Sequence, residues 1–291
     1  MTCHYFLSVA GITICLASDR LLVQNEEFLP FIINTANATD IHSTIRMTAN
    51  KPKVPEKPLY SDMFCAVAKN KDGYLQKFFF GSCDDHDGCV VSTYDPDGRH
   101  ILIEYPSEYA DKDLQLRSCF YWLGFESYLL RKNKLCLHAS LVDTPFGGIL
   151  FSGASGIGKS TQAELWCRYR GARQINGDRP ILSKESDGWS AWGSPYAGSS
   201  KVHVNACCPI KAIILLRQAP VCSLRNLSPG EAFRGVWAGL TVHTWDKDFV
   251  EKASALAIDL ISSVPVIEFG CTPDEQAVDY LEQALQKELC L

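Results

Sequence analysis

Along the first third of the chain, apolar residues come in short runs closed by turn signals. ITICLA, MFCAVA, KFFFGS, VVSTY and HILIEY are separated by segments such as KDG, DHDG and DPDG. Short apolar runs with that punctuation predict strands. The run Tyr5–Ala17 has no Lys or Arg before it, and Asp19 and Arg20 end it well short of a bilayer's thickness. It predicts an opening β-strand rather than a signal peptide or a membrane span. KPKVPEKP, from Lys51 to Pro58, cannot continue a central strand and reads as an exposed loop. Between Asp111 and Lys132 the period changes. Leu116, Phe120, Leu123 and Leu130 fall near one helical face, which predicts one long helix. That helix closes a smaller β-rich N-terminal domain over residues 1–130 and precedes a second domain over 131–291.

The second domain alternates strand and helix signals. LCLHASLV and GGILFSG predict two buried strands, and Lys159 to about Arg170 predicts the helix that follows. SKESDGWSAW reads as a turn with flanking strands, and KAIILLR as another apolar strand. Ser228-Pro229-Gly230-Glu231 and Thr272-Pro273-Asp274-Glu275 have the form of capping boxes opening two helices. This is α/β material built around a sheet.

Composition narrows the picture. The 291 residues are 46% hydrophobic and 21% charged, enough chain for about two domains. The formal charge of −5 excludes broad nucleic-acid or anionic-membrane binding, which needs a marked Lys/Arg excess. Thirteen cysteines, odd in number and irregularly spaced, suit a reducing, cytoplasmic setting. Cys83, His86 and Cys89 in CDDHDGC come nearest to a metal cluster. With no second Cys/His pair at zinc spacing, the Asp- and Gly-rich run reads as a hairpin turn instead.

The decisive segment is Gly153-Ala154-Ser155-Gly156-Ile157-Gly158-Lys159-Ser160, followed by Thr161, which satisfies GxxxxGK[ST]. At average residue usage that match arises by chance in roughly one chain of this length in a hundred. Here an apolar strand, Gly148 to Phe151, feeds the loop and a helix leaves it, as the chemistry demands. Glycines let successive N–H groups point inward, forming an anion nest at a helix N-terminus. Lys159 adds a full charge for the outer phosphates of ATP. Ser160 offers a neutral oxygen to Mg²⁺. A second polar cluster must supply a carboxylate. Asp178 in QINGDRPIL is placed for this, delivered by a predicted strand over Arg173 to Asn176, although an ordinary Gly-Asp turn accounts for it equally well. His138 in LHASLVD, on the strand before the loop, reads by itself as a satisfied core histidine.

Taken together, LHASLVD, GASGIGKST and INGDRP resemble the catalytic domain of HPr kinase/phosphorylase and its relatives. That group shares its nucleotide fold with the ATP-dependent phosphoenolpyruvate carboxykinases and includes serine kinases acting on ribosomally made precursor peptides. The later runs GSPYAGSSKVHVN and PIKAIILL extend the similarity, which spans about Leu135 to Leu216. The resemblance implies a P-loop, carboxykinase-like catalytic domain in which Gly153 to Ser160 hold ATP. His138 would sit beside the phosphates or acceptor, and Asp178 would act as base and metal ligand. Gly198, Ser199, Ser200 and Lys201 would form a loop that closes over the phosphates or meets the acceptor. It also implies a protein or peptide acceptor, and the β-rich half would orient that acceptor or mediate self-association into a homo-oligomer.

Two departures stand out. Where the HPr enzyme has two adjacent acids this chain has Gly177 and Asp178, so either Asp178 serves both metal and proton or another acid such as Asp143 helps. The glycine-rich stretch associated with dephosphorylation is not evident after Asn205. Kinase activity without the phosphorylase reaction is therefore expected. Two rivals are a non-catalytic ATP-binding peptide sensor or chaperone, and a carboxykinase-like enzyme of small acids. The latter needs an arginine cluster, for which Arg168, Arg170, Arg173 and Arg179 are the candidates.

Overall fold

The computed structural model describes residues 2–49, 51–80, 89–109 and 112–288. The chain divides into two units, Met1–Tyr128 and Leu129–Leu291, each built on a mixed sheet with nine strands among the described residues and each with its own apolar core.

The first unit opens with β1 (Cys3–Val9) and β2 (Ile12–Ser18), an antiparallel pair with Val9 opposite Ile12. The single strand expected over Tyr5–Ala17 is therefore a hairpin. Ala10 and Gly11 both take positive φ, 52° and 73°, the geometry of a two-residue turn that matches strand twist. There follow β3 (Ile32–Ile33), β4 (Ile41–Thr48), β5 (Tyr60–Ser61), β6 (Cys65–Lys69), β7 (Leu75–Phe79), β8 (Val90–Tyr94) and β9 (His100–Pro106). Their order across the sheet is β3-β1-β2-β4-β9-β8-β7-β6-β5. Described residues of the Lys51–Pro58 run form no strand. Cys83 and His86 of the CDDHDGC run lie outside the described residues; Cys89 is buried and its Sγ donates to the Pro52 carbonyl at 3.1 Å.

The long helix expected over Asp111–Lys132 is two helices, α1 (Leu116–Trp122) and α2 (Phe125–Arg131). Gly124 breaks it with φ 60°, and a β-carbon there would stand 2.6 Å from Tyr94 Oη. Ser92 Oγ also donates to the Trp122 carbonyl at 2.6 Å, so a sheet residue takes an acceptor that the next helical turn would have used.

The second unit contains β10 (Lys134–Cys136), β11 (Ala139–Thr144), β12 (Gly147–Ser152), α3 (Lys159–Arg170), β13 (Arg173–Asn176), β14 (Ile181–Glu185) and β15 (Gly188–Trp192). After these come β16 (Cys207–Gln218), β17 (Ser223–Asn226), α4 (Pro229–Trp237), α5 (Lys247–Ser263), β18 (Val266–Cys271) and α6 (Glu275–Glu288). The strand order is β10-β14-β15-β16-β12-β11-β13, with β18 on β16 and β17 on β18. β16 is the spine: its first residues pair antiparallel with β15, and the remainder runs parallel to both β12 and β18. Side chains alternate across the sheet as strands require. Ile149, Phe151, Ile214 and Phe269 pack with α3 and α6, whereas Leu141, Leu150 and Ile213 pack with α4 and α5. Helices thus cover both faces.

Two helix starts were expected from capping boxes. Ser228 and Glu231 form theirs reciprocally at α4. At α6 the cap is Asp274, whose Oδ1 accepts from the Ala277 N–H at 3.3 Å, while Thr272 Oγ1 donates to Asp274. Asp274 stands directly before the first helical residue and so reaches the amide, while Thr272 buttresses the cap rather than forming it. No helix among the described residues is long and apolar enough to cross a membrane.

Candidate active site

The GxxxxGK[ST] segment lies between a strand and a helix. β12 ends at Ser152, and α3 begins at Lys159. Between them Gly153, Gly156 and Gly158 take φ of 143°, 76° and 114°, values that residues with a β-carbon rarely adopt. Ala154, Ser155, Gly156 and Thr161 are exposed, while Ile157 packs under the loop against the apolar layer of α3 and α6. Lys159 is 8% exposed, and its Nζ donates to the Gly153 and Ala154 carbonyls at 3.1 and 3.0 Å. Burial lowers its pKa, and the charge of Asp178 acts in the opposite direction. Ser160 is half-buried at the same helix N-terminus.

His138 does not lie within a strand. The run LCLHASLV is split into β10 and β11, because Leu137 takes a bridge to Leu240 and the His138 N–H donates to the Gly239 carbonyl at 2.7 Å. This change of partners frees the imidazole from the sheet, so the core-histidine expectation gives way. Its Nε2 lies 3.3 Å from Asp178 Oδ1. The His138 pKa is lowered by burial first and by the Lys159 charge next; Asp178 works against both, and Arg179 adds to the lowering.

Asp178 follows β13 in a turn that Asn176 holds together. Asn176 is fully buried. Its Oδ1 accepts the N–H groups of Asp178 and Arg179 at 3.0 and 2.8 Å, and its Nδ2 donates to the Ser194 and Tyr196 carbonyls at 3.0 and 3.2 Å. Ser194 Oγ closes the ring by donating to the Arg179 carbonyl at 2.6 Å. Across the turn, the Ala139 N–H donates to the Asp178 carbonyl at 2.9 Å, and Ser152 Oγ donates to the His138 carbonyl at 3.0 Å. Arg179 Nε stands 3.7 Å from the other Asp178 oxygen, with Nη1 donating to Thr241 Oγ1 at 2.8 Å. Sequence reasoning passed over Asn176 and Ser194. Asn before Gly-Asp is a signal for a side chain that caps its own turn, but nothing local points to Ser194.

The expected acceptor loop lies against Asp178. A β-carbon on Gly198 (φ 58°) would sit 2.7 Å from Asp178 Cβ, and one on Gly177 would sit 1.6 Å from Ser200 Oγ. Gly177 is thus glycine because the loop fills the volume of its absent side chain. Ser199 and Lys201 are exposed.

The suggestion that Asp143 supplies a second acid fails. Asp143 pairs with Gly148, whereas Ala139 pairs with Ser152 at the loop. Four residues of strand separate them, about 13 Å at the usual rise. The arginines do not cluster either: Arg170 pairs with Asp279 and Glu282 of α6, and Arg173, opposite Asp143, lies at the other end of β13 from Asp178. Among the described residues no group of three His, Cys, Asp or Glu is placed to hold a metal ion.

Beside the loop opens a cavity of about 490 Å³, walled by Gly158, Thr161 and Gln162 of the loop and α3, Gln218 at the end of β16, and Cys271 and Thr272 at the end of β18. The carboxyl edge of a parallel sheet segment is the usual position for a bound ligand.

No family model matches the sequence, and no curated protein is similar to it. Among solved structures the chain is similar to the Hpr(Ser) kinase/phosphatase from Coxiella burnetii, with 15% identity and a TM-score of 0.32 over 53% of this chain and 97% of that one.

Proposed function

We propose that the chain is an ATP-dependent kinase that transfers the γ-phosphoryl group to a serine-type hydroxyl of a protein or peptide, in a cytoplasmic setting. The observation that carries the reading is the meeting of a phosphate loop and its lysine with the His138–Asp178 pair, 3.3 Å apart.

The donor set suits the ligands. Lys159 rests on carbonyls of its own loop, contacts that phosphate oxygens would replace. The Ser160 hydroxyl and the Asp178 carboxylate are oxygen donors of the kind Mg²⁺ takes; they are the residues that would hold it, and when bound it offsets charge on the outer phosphates. The remaining chemistry is alignment and charge stabilisation. The loop amides and Lys159 hold the transferring group. The acceptor oxygen bonds to the γ-phosphorus as the bond to the ADP oxygen breaks, and Asp178 takes the hydroxyl proton. His138, neutral by virtue of its lowered pKa, orients the carboxylate without neutralising it.

The close packing of Gly198 on Asp178 favours one second reading, a nucleotide-binding sensor whose carboxylate meets no acceptor. Incubating the purified chain with Mg·ATP and a cellular peptide fraction, then weighing the peptides, separates the two. A kinase adds one phosphoryl group to particular serines; if no peptide changes mass while ATP still binds, the sensor reading replaces it.

A further inference from the structure

In the antiparallel pair β17–β18, Ser223 is opposite Gly270, Leu224 opposite Phe269 and Arg225 opposite Glu268. Carried one residue further, this register sets Cys222 opposite Cys271. The faces agree as well. Ile267, Phe269 and Cys271 belong to the apolar layer of α3 and α6, and Leu224 and Cys222 pack against that same layer. Opposed residues of an antiparallel pair have β-carbons about 4.5–5.5 Å apart, and a disulfide needs about 3.5–4.5 Å. Cys222 stands just outside the ladder, one residue before β17 begins. Its Sγ is already 3.5 Å from Thr272 Oγ1, next to Cys271. Both thiols are free. That of Cys271 is pushed up to about 11, by burial first and by the nearness of Cys222 second.

Cys271 is also tied to the phosphate loop. Its Sγ accepts from Gln162 Nε2 at 3.4 Å, and the same nitrogen donates to the Thr272 carbonyl at 3.0 Å. The Gln162 N–H in turn donates to the Gly158 carbonyl at 2.9 Å. Gln162, Cys271 and Thr272 are walls of the cavity beside the loop.

We propose that Cys222 and Cys271 are an oxidisable thiol pair whose disulfide weakens nucleotide binding at the loop. The regulation rests on the function proposed above; the thiol chemistry does not. With hydrogen peroxide, the half-buried Cys222 thiolate attacks one oxygen, the O–O bond breaks, and a sulfenic acid and hydroxide result. Cys271 then attacks that sulfur; the S–S bond forms, the S–O bond breaks, and water leaves. Two thiols lose two electrons and two protons, and one peroxide becomes two waters. The disulfide draws the Cys271 sulfur away from Gln162, and Mg·ATP binding weakens by roughly three- to tenfold, about the worth of one hydrogen bond.

The test treats the full chain with hydrogen peroxide, maps non-reduced peptides by mass, and titrates Mg·ATP before oxidation, after it, and after dithiothreitol. A 222–271 cross-link with weaker, reducible binding is expected, as is unchanged affinity after peroxide in Cys222→Ser. Oxidation of other thiols without this cross-link overturns the pair. A cross-link with unaltered affinity overturns the regulation. A reduced protein that binds no Mg·ATP overturns the proposed function, and the regulation with it, while the cross-link is still judged by mass.

Discussion

The Oγ of Ser200 occupies the space that a side chain at Gly177 would fill, 1.6 Å from where its β-carbon would stand. The single-carboxylate site is thus built into the packing of the 198–201 loop. Replacing Gly177 by Asp is expected to push that loop off the turn. Overpacking of this kind costs about 1–3 kcal/mol. A denaturant midpoint that did not move would show that the loop yields freely.

Lys159→Ala and Asp178→Asn should separate binding from transfer. The first removes the cation of the phosphate loop and is expected to weaken Mg·ATP binding and turnover together. The second keeps the shape of the turn but removes the carboxylate charge, so Mg·ATP affinity falls less than in Lys159→Ala while phosphotransfer falls by about 10² to 10⁴. Titration calorimetry with a single-turnover assay measures both; full transfer in Asp178→Asn would remove the base from the mechanism.

Protonation of His138 is opposed in the folded chain by burial and by the Lys159 charge. Its folded pKa lies below the ordinary value of 6.5, so the unfolded chain binds more protons as pH falls. The stability this group contributes is therefore present above pH 6.5 and is lost as pH falls through the folded value. His138→Gln should lack that loss. The unfolding free energy of the natural chain minus that of the variant is expected to decline from pH 7 to pH 5, and a flat difference would contradict the assignment.

Asn176→Ala leaves two N–H groups of the Asp178 turn without their acceptor, and the Ser194 and Tyr196 carbonyls without their donor. A loss of about 2–3 kcal/mol is expected from stranding buried polar groups. If the turn is what positions the base, turnover falls while Mg·ATP affinity holds, and the denaturation midpoint and the nucleotide titration report these separately.

Contiguous signals were the legible ones. The GxxxxGK[ST] motif is eight consecutive residues, and the helix Lys159–Arg170 and strand Arg173–Asn176 lie where the pattern put them. What escaped depends on partners far along the chain. The break at Gly124 is set by Tyr94 and Ser92, about thirty residues earlier, and the helical spacing of Leu116, Phe120 and Leu123 runs straight past it. The split of LCLHASLV at His138 is imposed by Gly239 and Leu240. Asn176 carries a local turn signal, but its bonds to the Ser194 and Tyr196 carbonyls join residues that no local rule connects. The hairpin at Ala10-Gly11 was hidden for the opposite reason: its turn is as apolar as the strands on either side.

Ser152, His138, Ala139 and Asp178 are laced into one another by backbone hydrogen bonds and a single hydroxyl. The backbone that carries the imidazole and the backbone that carries the carboxylate are therefore one hydrogen-bonded frame, to which the strand feeding the loop is joined through Ser152. The 198–201 loop is tied to the same frame, since Ser200 fills the space beside Gly177 and the Gly177 N–H donates to the Val202 carbonyl, so a substitution in that loop is felt at Asp178.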